Sequence, residues 1–176
     1  MSKEQEQRPR ELSLEEVICL AKEVTLRDGI HLPTVMAEVN AQTVVIQLVE
    51  FPDTHEGRAQ QMFAAGFLLA QSGQMEQLQQ VFFISEGWMS MAKEGKLPER
   101  PPSQDPNRKE ILFISRLKIK SQETQLVVFE MLRDEEGRLT ELEELQSAAN
   151  EETQVESPLL VAFVAGFEAG TEGTVH

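Results

Sequence analysis

The stretches "VFFIS" (81–85) and "ILFIS" (111–115) decide the fold prediction, because they are the most strand-like parts of the chain. Both are short apolar runs rich in aromatic and β-branched residues, which is the composition of a buried β-strand. The segment between them holds four prolines and the only tryptophan, Trp88. Unstructured connections of this length are uncommon in compact domains. We therefore predict two neighbouring strands joined by a long loop over residues 86–109.

Three helices are predicted around these strands. The first has a capping-box pattern at Ser13 and Glu16 and ends at Asp28-Gly29. The second is predicted to begin with Asp53 as its N-cap. The third opens at Ser157-Pro158, because proline is favoured at the first helical position.

A hairpin is predicted before the second helix. The runs "LPTVMAEV" (32–39) and "TVVIQLVEF" (43–51) are joined by Asn40-Ala41, which fits a tight turn. The second run is continuously apolar at its centre, which is typical of a central strand. Pro33 indicates either that the first run is an edge strand or that the proline is the entry residue of that strand.

The strand at 110–119 is predicted to pair with "TQLVVFEML" (124–132), and Arg116 and Lys118 predict that its far end has a solvent-exposed face. Residues 139–149 suit either a helix or a strand, and we predict a short strand. The element order then predicts an α+β fold, with one mostly antiparallel sheet of about five to six strands and three helices packed on it. We expect a single domain over 13–172, a disordered N-terminal tail over 1–12 and a flexible C-terminus over 173–176.

One short motif occurs twice, as "FAAGF" (63–67) and "FVAGF" (163–167). Each copy lies in a predicted helix, where glycine costs about 1 kcal/mol relative to alanine. Close packing on the sheet, or a crossing of the two helices, would explain Gly66 and Gly166. A duplicated half-domain is the alternative interpretation.

The formal charge of −14 is unevenly distributed. Residues 1–120 carry a net charge of −3 and residues 121–176 carry −11, while the segment 93–120 is locally positive. An acidic protein of this kind is a poor binder of nucleic acid, because phosphate recognition needs a basic face. The segregated charges predict salt-dependent self-association. An acidic mimic of nucleic acid is a weaker alternative.

No pattern of catalytic or metal-binding residues emerges. His31, His55 and His176 have none of the spacings typical of zinc sites, and no nucleophile elbow or phosphate-binding glycine loop occurs. Cys19 is expected to be a small buried hydrophobic residue, and as the only cysteine it has no disulfide partner within the chain. We therefore predict no metal, no cofactor and no catalytic residue.

The long loop is the best candidate binding element, because tryptophan and arginine often anchor binding surfaces. If the strands it joins are neighbours, its two ends lie side by side. The candidate residues at those ends are Glu86, Trp88, Asp105, Asn107 and Arg108. The alternative is that Trp88 is merely packed beneath the loop.

The leading functional prediction is a non-enzymatic, cytoplasmic domain that acts through protein–protein contact, as a homo-oligomer or with an unidentified protein partner. No apolar run is long enough to span a membrane. The alternative is a small-molecule-binding protein or enzyme with a pocket under the loop, in which Glu86 acts as acid or base and Arg108 holds an anion.

Overall fold

The computed structural model describes residues 11–73, 77–90, 101–145 and 157–173. Over these ranges it confirms the α+β class, with three helices and six antiparallel strands in one sheet. The elements in chain order are α1 (Leu14–Asp28), β1 (Thr34–Val39), β2 (Gln42–Gln47), α2 (His55–Gln71), β3 (Leu78–Met89), β4 (Lys109–Lys118), β5 (Glu123–Arg133), β6 (Leu139–Leu145) and α3 (Pro158–Glu172), with a 3₁₀ turn at Pro102–Gln104.

The strand order across the sheet is β2-β1-β3-β4-β5-β6. The apolar strand β2 is therefore an edge strand, and the prediction that it is central was wrong. Pro33 leads into β1, which is an internal strand. The hairpin at Asn40-Ala41 is confirmed, with φ values of 50° and 61° at these two residues. Positive φ at both central residues is the geometry of a type I′ turn.

Helix α1 covers one face of the sheet. The predicted capping box is present, because the Ser13 hydroxyl accepts from the Glu16 N–H and the Glu16 carboxylate accepts from the Ser13 N–H. Val17 and Ala21 pack against a cluster formed by strands β3 to β6. Cys19 is exposed on the opposite side of the helix, so the prediction that it is buried was wrong.

Helices α2 and α3 cover the other face. Their buried side chains pack on residues of β1, β3 and β4, and partly buried residues of β2 complete this second cluster. Since α3 has its strand contacts with β3 and β4, α2 lies on the β1–β2 side. The N-cap of α2 is Thr54, whose hydroxyl accepts from the Gly57 N–H at 3.1 Å, and not Asp53 as predicted.

The two helices cross at the repeated motif. A Cβ atom at Gly66 would lie well under 3.0 Å from the carbonyl oxygen of Phe163, and one at Gly166 equally close to that of Phe63. Gly170 makes a similar approach to the backbone of Phe67, so the two helices run in the same direction. The predicted crossing is therefore confirmed, and its reciprocity explains why both copies of the motif contain glycine.

The boundaries of the long connection differ from those predicted. Strand β3 continues to Met89 and pairs with β4 as far as Lys109, so Glu86 and Trp88 are strand residues and the connection covers residues 90–108. The ambiguous segment is the strand β6 as far as Leu145, and residues 146–149 lie outside the described part of the chain.

The predicted disorder over residues 1–12 stays a prediction, and only residues 11 and 12 of that segment are described. The backbone N–H of Leu12 donates to Glu38 at 2.5 Å, so residues 11 and 12 belong to the folded domain, whereas residues 1–10 lie outside the described part. At the other end Gly173 caps α3, and residues 174–176 are likewise outside it.

The basic and acidic regions meet within the subunit. Lys109 Nζ lies 2.5 Å from Glu130 Oε2, and Lys118 Nζ lies 3.9 Å from Glu123 Oε2, across the β4–β5 pair. Within the locally positive segment 93–120, Lys93, Lys96 and Arg100 lie outside the described ranges. These ion pairs use charges that were expected to attract a second subunit.

Candidate functional site

The strand ends beside the long connection bring Trp88 and Arg108 together. Trp88 on β3 is paired with Glu110 on β4, two residues beyond Arg108. The Arg108 Cζ atom lies 4.1 Å from the centre of the Trp88 ring, and the guanidinium also donates to the carbonyl oxygen of Ser103. Trp88 remains 46% exposed. This stacking holds an aromatic face and a cation on one accessible surface.

Glu86 lies two residues before Trp88 on the same strand. Its carboxylate accepts a hydrogen bond from the backbone N–H of His31, at the junction between α1 and β1. Burial raises the pKa of Glu86, and the nearby negative charge of Glu110 raises it further. The pKa of His31 is lowered, mainly by burial, and its Nδ1 atom lies 2.8 Å from the carbonyl oxygen of Leu32. Burial thus acts against the charged form of both side chains.

Glu110 is held by Arg133. Two guanidinium nitrogens of Arg133 each lie 2.7 Å from a Glu110 carboxylate oxygen, and Nη2 also donates to the carbonyl of Gly29 at 3.1 Å. The hydrogen bond to Glu110 raises the pKa of Arg133. Such paired contacts fix both side chains. Arg133 thus ties the end of α1 to β4 and β5.

A cleft of about 610 Å³ opens beside these groups. Its walls include the predicted residues Glu86 and Trp88, together with Arg58 and Pro102. A larger cavity, about 1010 Å³, lies at the other end of β3 and β4, and none of the five predicted site residues lines it.

Asp105 and Asn107 form a turn and do not line the cleft. The Asp105 carboxylate accepts from the Asn107 N–H at 2.8 Å, and the Asp105 carbonyl accepts from the Arg108 N–H at 3.2 Å. This local pattern is common in turns that contain aspartate. The turn therefore positions Arg108. A role in binding for the five candidate residues named from the sequence remains a prediction.

A buried polar row crosses the sheet beneath the start of α1, and sequence analysis missed it. Glu38 on β1 accepts from Gln80 Nε2 on β3 at 2.6 Å, and Gln80 Oε1 accepts from Arg116 Nε on β4 at 2.7 Å. Arg116 Nη1 donates to Gln125 on β5 at 3.2 Å. Arg116 is buried, so the predicted exposed face at this residue was wrong.

The row also fixes the chain ahead of α1. Leu12 donates to Glu38 and its carbonyl accepts from Gln80 Nε2 at 2.8 Å. The sequence does carry a sign of this row, because polar residues occur within otherwise apolar strands, as Glu38 does in "VMAEV". Because buried polar groups need partners, the row has a structural role.

The crossing of α2 and α3 leaves an apolar outer surface. We use this name for the exposed side chains of Phe63, Ala64, Phe67, Leu68, Val161 and Ala165. Phe163 and Phe167 are buried against the sheet, whereas the corresponding Phe63 and Phe67 are exposed. The repeated motif thus places one pair of phenylalanines inside the core and leaves the other pair partly exposed.

Two features are absent from the described ranges. No group of three or more His, Cys, Asp or Glu side chains there is arranged to hold a metal ion. None of the helices in those ranges combines the length and the apolar character needed to cross a bilayer.

The described residues define an α+β protein with a central antiparallel sheet, helices on both faces and an exposed apolar helix pair. A family model described as bacteriophage lambda protein ea47 matches residues 1–168, so the chain belongs to that family. Neither the curated proteins nor the solved structures contain a match.

Proposed function

We propose that the protein acts through protein–protein contact, without catalysis of its own, and that it self-associates through the apolar outer surface of α2 and α3. The exposed apolar side chains of both helices are the observation that carries this proposal. Leu68 is 65% exposed and Val161 is 57% exposed. Clustered apolar side chains in solvent are typical of protein interaction sites.

The charge pattern supports the proposal. Residues 59–72 and 157–167 contain no charged side chain, although charged residues make up 26% of the chain. Depletion of charge is the compositional mark of an interface core. The repeated motif supports it too, because Phe163 and Phe167 are buried in the core whereas the corresponding Phe63 and Phe67 remain partly exposed.

A second copy is the partner that best fits this surface. Two copies that each carry a formal charge of −14 repel one another over most of their surface. An uncharged patch lets them approach without burying a charge, and a two-fold axis makes the same patch serve both subunits. We further propose a cytoplasmic location, with which a single exposed thiol is compatible.

Multi-angle light scattering after size-exclusion chromatography tests the proposal. The double variant Val161→Lys/Ala165→Lys places two charges on the outer surface at exposed positions of α3, so we expect the fold to persist and the molar mass to fall. Glu141→Lys on β6 is the control and should keep the wild-type mass. A wild-type protein that is monomeric at every concentration, or a double variant with unchanged mass, would contradict the proposal.

The salt dependence of association distinguishes this apolar contact from a contact driven by opposite charges. Because the described ion pairs Lys109–Glu130 and Lys118–Glu123 form within the subunit, we expect association to be unchanged or stronger at high salt. Dissociation as salt rises would instead support the charge-driven association that the sequence predicts.

Binding of a small molecule in the cleft is the second candidate function. It is favoured by one observation, the exposed Trp88 ring beside Arg58 and the half-buried Glu86. Benzoate is a suitable probe, because it offers an aromatic ring and a carboxylate. Saturable quenching of Trp88 emission that is lost in Arg58→Ala would support this candidate, and linear quenching would exclude it for this chemistry.

A further inference from the structure

The two edges of the sheet differ in charge. Strand β2 forms one edge with the sequence "QTVVIQ", which has no charged residue and three adjacent β-branched apolar residues, Val44 to Ile46. Strand β6 forms the other edge and carries Glu141, Glu143 and Glu144, all exposed. Proteins use charges, prolines or bulges to keep an edge strand from pairing with another chain. Only the β6 edge has such charges.

The β2 edge is also regular. Its six residues pair with β1 in an unbroken antiparallel register from Thr34–Gln47 to Val39–Gln42. Val44 and Ile46 pack on the core beneath α2, whereas Val45, on the other face, is 57% exposed. Beyond the strand, Val49 is exposed as well. Among the described residues no strand pairs with the outer side of β2, and an uncharged strand of regular register is a template for another strand.

We propose that β2 pairs in antiparallel fashion with β2 of a second copy and joins the two sheets into one of twelve strands. A two-fold axis perpendicular to the sheet relates the copies and passes beside Val45. Val45 then lies opposite Val45 of the second copy, and Thr43 lies opposite Gln47 of the second copy. This register covers the exposed Val45 side chains with one another.

A second copy fits this edge better than another part of the same protein. Pairing β2 with a β6 edge would bring three glutamates to the joint, whereas two β2 strands bring no charge. The pairing would be less opposed by the overall charge of −14 than contact elsewhere. The added backbone hydrogen bonds give affinity, as in other cases of strand addition.

This inference goes beyond the proposed function, because it uses a different surface. The β2 edge lies in the plane of the sheet, and the outer surface of α2 and α3 faces away from it. Both contacts can form in one assembly, which would then contain more than two subunits. Each contact can also be removed without the other.

A disulfide test is sharp because the chain has one cysteine, which Cys19→Ser removes. In that background, Val45→Cys places two thiols opposite one another. Directly opposed residues of antiparallel strands have Cα atoms about 4.5 or 5.5 Å apart, and disulfides need about 4.4–6.8 Å. We expect Val45→Cys to form covalent dimers on mild oxidation and Glu143→Cys, at the other edge, to remain monomeric on a non-reducing gel.

A second variant makes the test independent of oxidation. Val45→Lys changes an exposed side chain, so circular dichroism should be unchanged while light scattering shows a lower molar mass. Loss of mass in Val45→Lys but not in Val161→Lys/Ala165→Lys supports the β2 contact and contradicts the helix contact, and the reverse result contradicts the β2 contact. Equal crosslinking of Val45→Cys and Glu143→Cys, or a wild-type monomer, would overturn the inference.

Discussion

Phe63 and Gly166 are in contact through backbone atoms, because a Cβ atom at Gly166 would lie well under 3.0 Å from the carbonyl oxygen of Phe63. Gly66 has the same relationship to Phe163. Each glycine therefore serves the approach of the two helices, and neither has an unusual backbone angle that would demand it. The helix pair depends on two residues that are poor helix formers.

Gly66→Ala and Gly166→Ala should each destabilise the protein, although alanine has the higher helix propensity. The new methyl group meets backbone, which cannot rotate away, so we expect a loss at the upper end of the roughly 1–3 kcal/mol typical of overpacking, or more. Chemical denaturation measures it. Gly87→Ala is the control, since its Cβ would meet nothing nearer than 3.6 Å. A stabilised Gly66→Ala or Gly166→Ala would show that the helices can separate freely.

Glu38→Gln should cost about 1–3 kcal/mol, the usual penalty for an unsatisfied buried polar group. Both Glu38 oxygens accept hydrogen bonds, one from the Leu12 N–H and one from Gln80 Nε2. A glutamine would turn an amide NH₂ towards a donor. The side-chain amide of Gln80 cannot flip to compensate, because its oxygen accepts a hydrogen bond from Arg116. The exposed Glu141→Gln is the control. An unfolding curve of Glu38→Gln that overlays the wild type would contradict the role of the row.

Glu86→Gln should change how stability depends on pH. The pKa of Glu86 is raised above its ordinary value of 4.5, so its contribution to stability is fully present below about 4.5 and is lost as pH rises through the folded-state pKa. Glutamine keeps the acceptor for the His31 N–H but does not ionise. The melting temperature of the variant, measured relative to that of the wild type, should therefore increase as pH rises.

His31 has the opposite sign, because its pKa is lowered below 6.5 and stability is lost as pH falls through that lowered value. Both proteins contain His31, so the difference between their melting temperatures isolates Glu86. A difference that stays constant between about pH 4 and pH 8 would show that Glu86 is not perturbed by burial.

Trp88→Ala should cost less than about 2 kcal/mol, because the ring is 46% exposed and full truncation of a buried tryptophan costs about 3–5 kcal/mol. Phe129→Ala, at a buried position, is the comparison and should cost about 3–5 kcal/mol. Emission from Trp88 should also change in Arg108→Ala, which removes the stacked cation. Blue-shifted emission with a large stability loss in Trp88→Ala would mean that the ring is packed beneath the loop.

Local patterns predicted most of the fold. The capping box at Ser13, the turn at Asn40-Ala41 and the proline that opens α3 are signals of a few neighbouring residues, and all three were read correctly. The strand order was not readable in this way. The apolar run of β2 matches a central strand, yet its position at the edge follows from long-range pairing of β1 with β3.

The candidate site was predictable only in part. Trp88 and Arg108 were expected to lie on the same side, because they flank paired strands, and they do. The role of Arg133 was not predictable, because its contacts with Glu110 and Gly29 join residues 23 and 104 positions away. The exposure of Phe63 and Phe67 likewise depends on which side of the helix pair the sheet covers.

The crossing of α2 and α3 also bears on the order of events in folding. It joins residues about 100 positions apart, and contacts of such high sequence separation form late. We expect amide hydrogens in α3 to exchange sooner than those in β3 and β4, because α3 can detach while the strand pairs persist. A detached α3 would uncover Phe83 and Leu117, which belong to the cluster it covers. Heat-induced aggregation should therefore begin from a partly opened protein whose sheet is still intact.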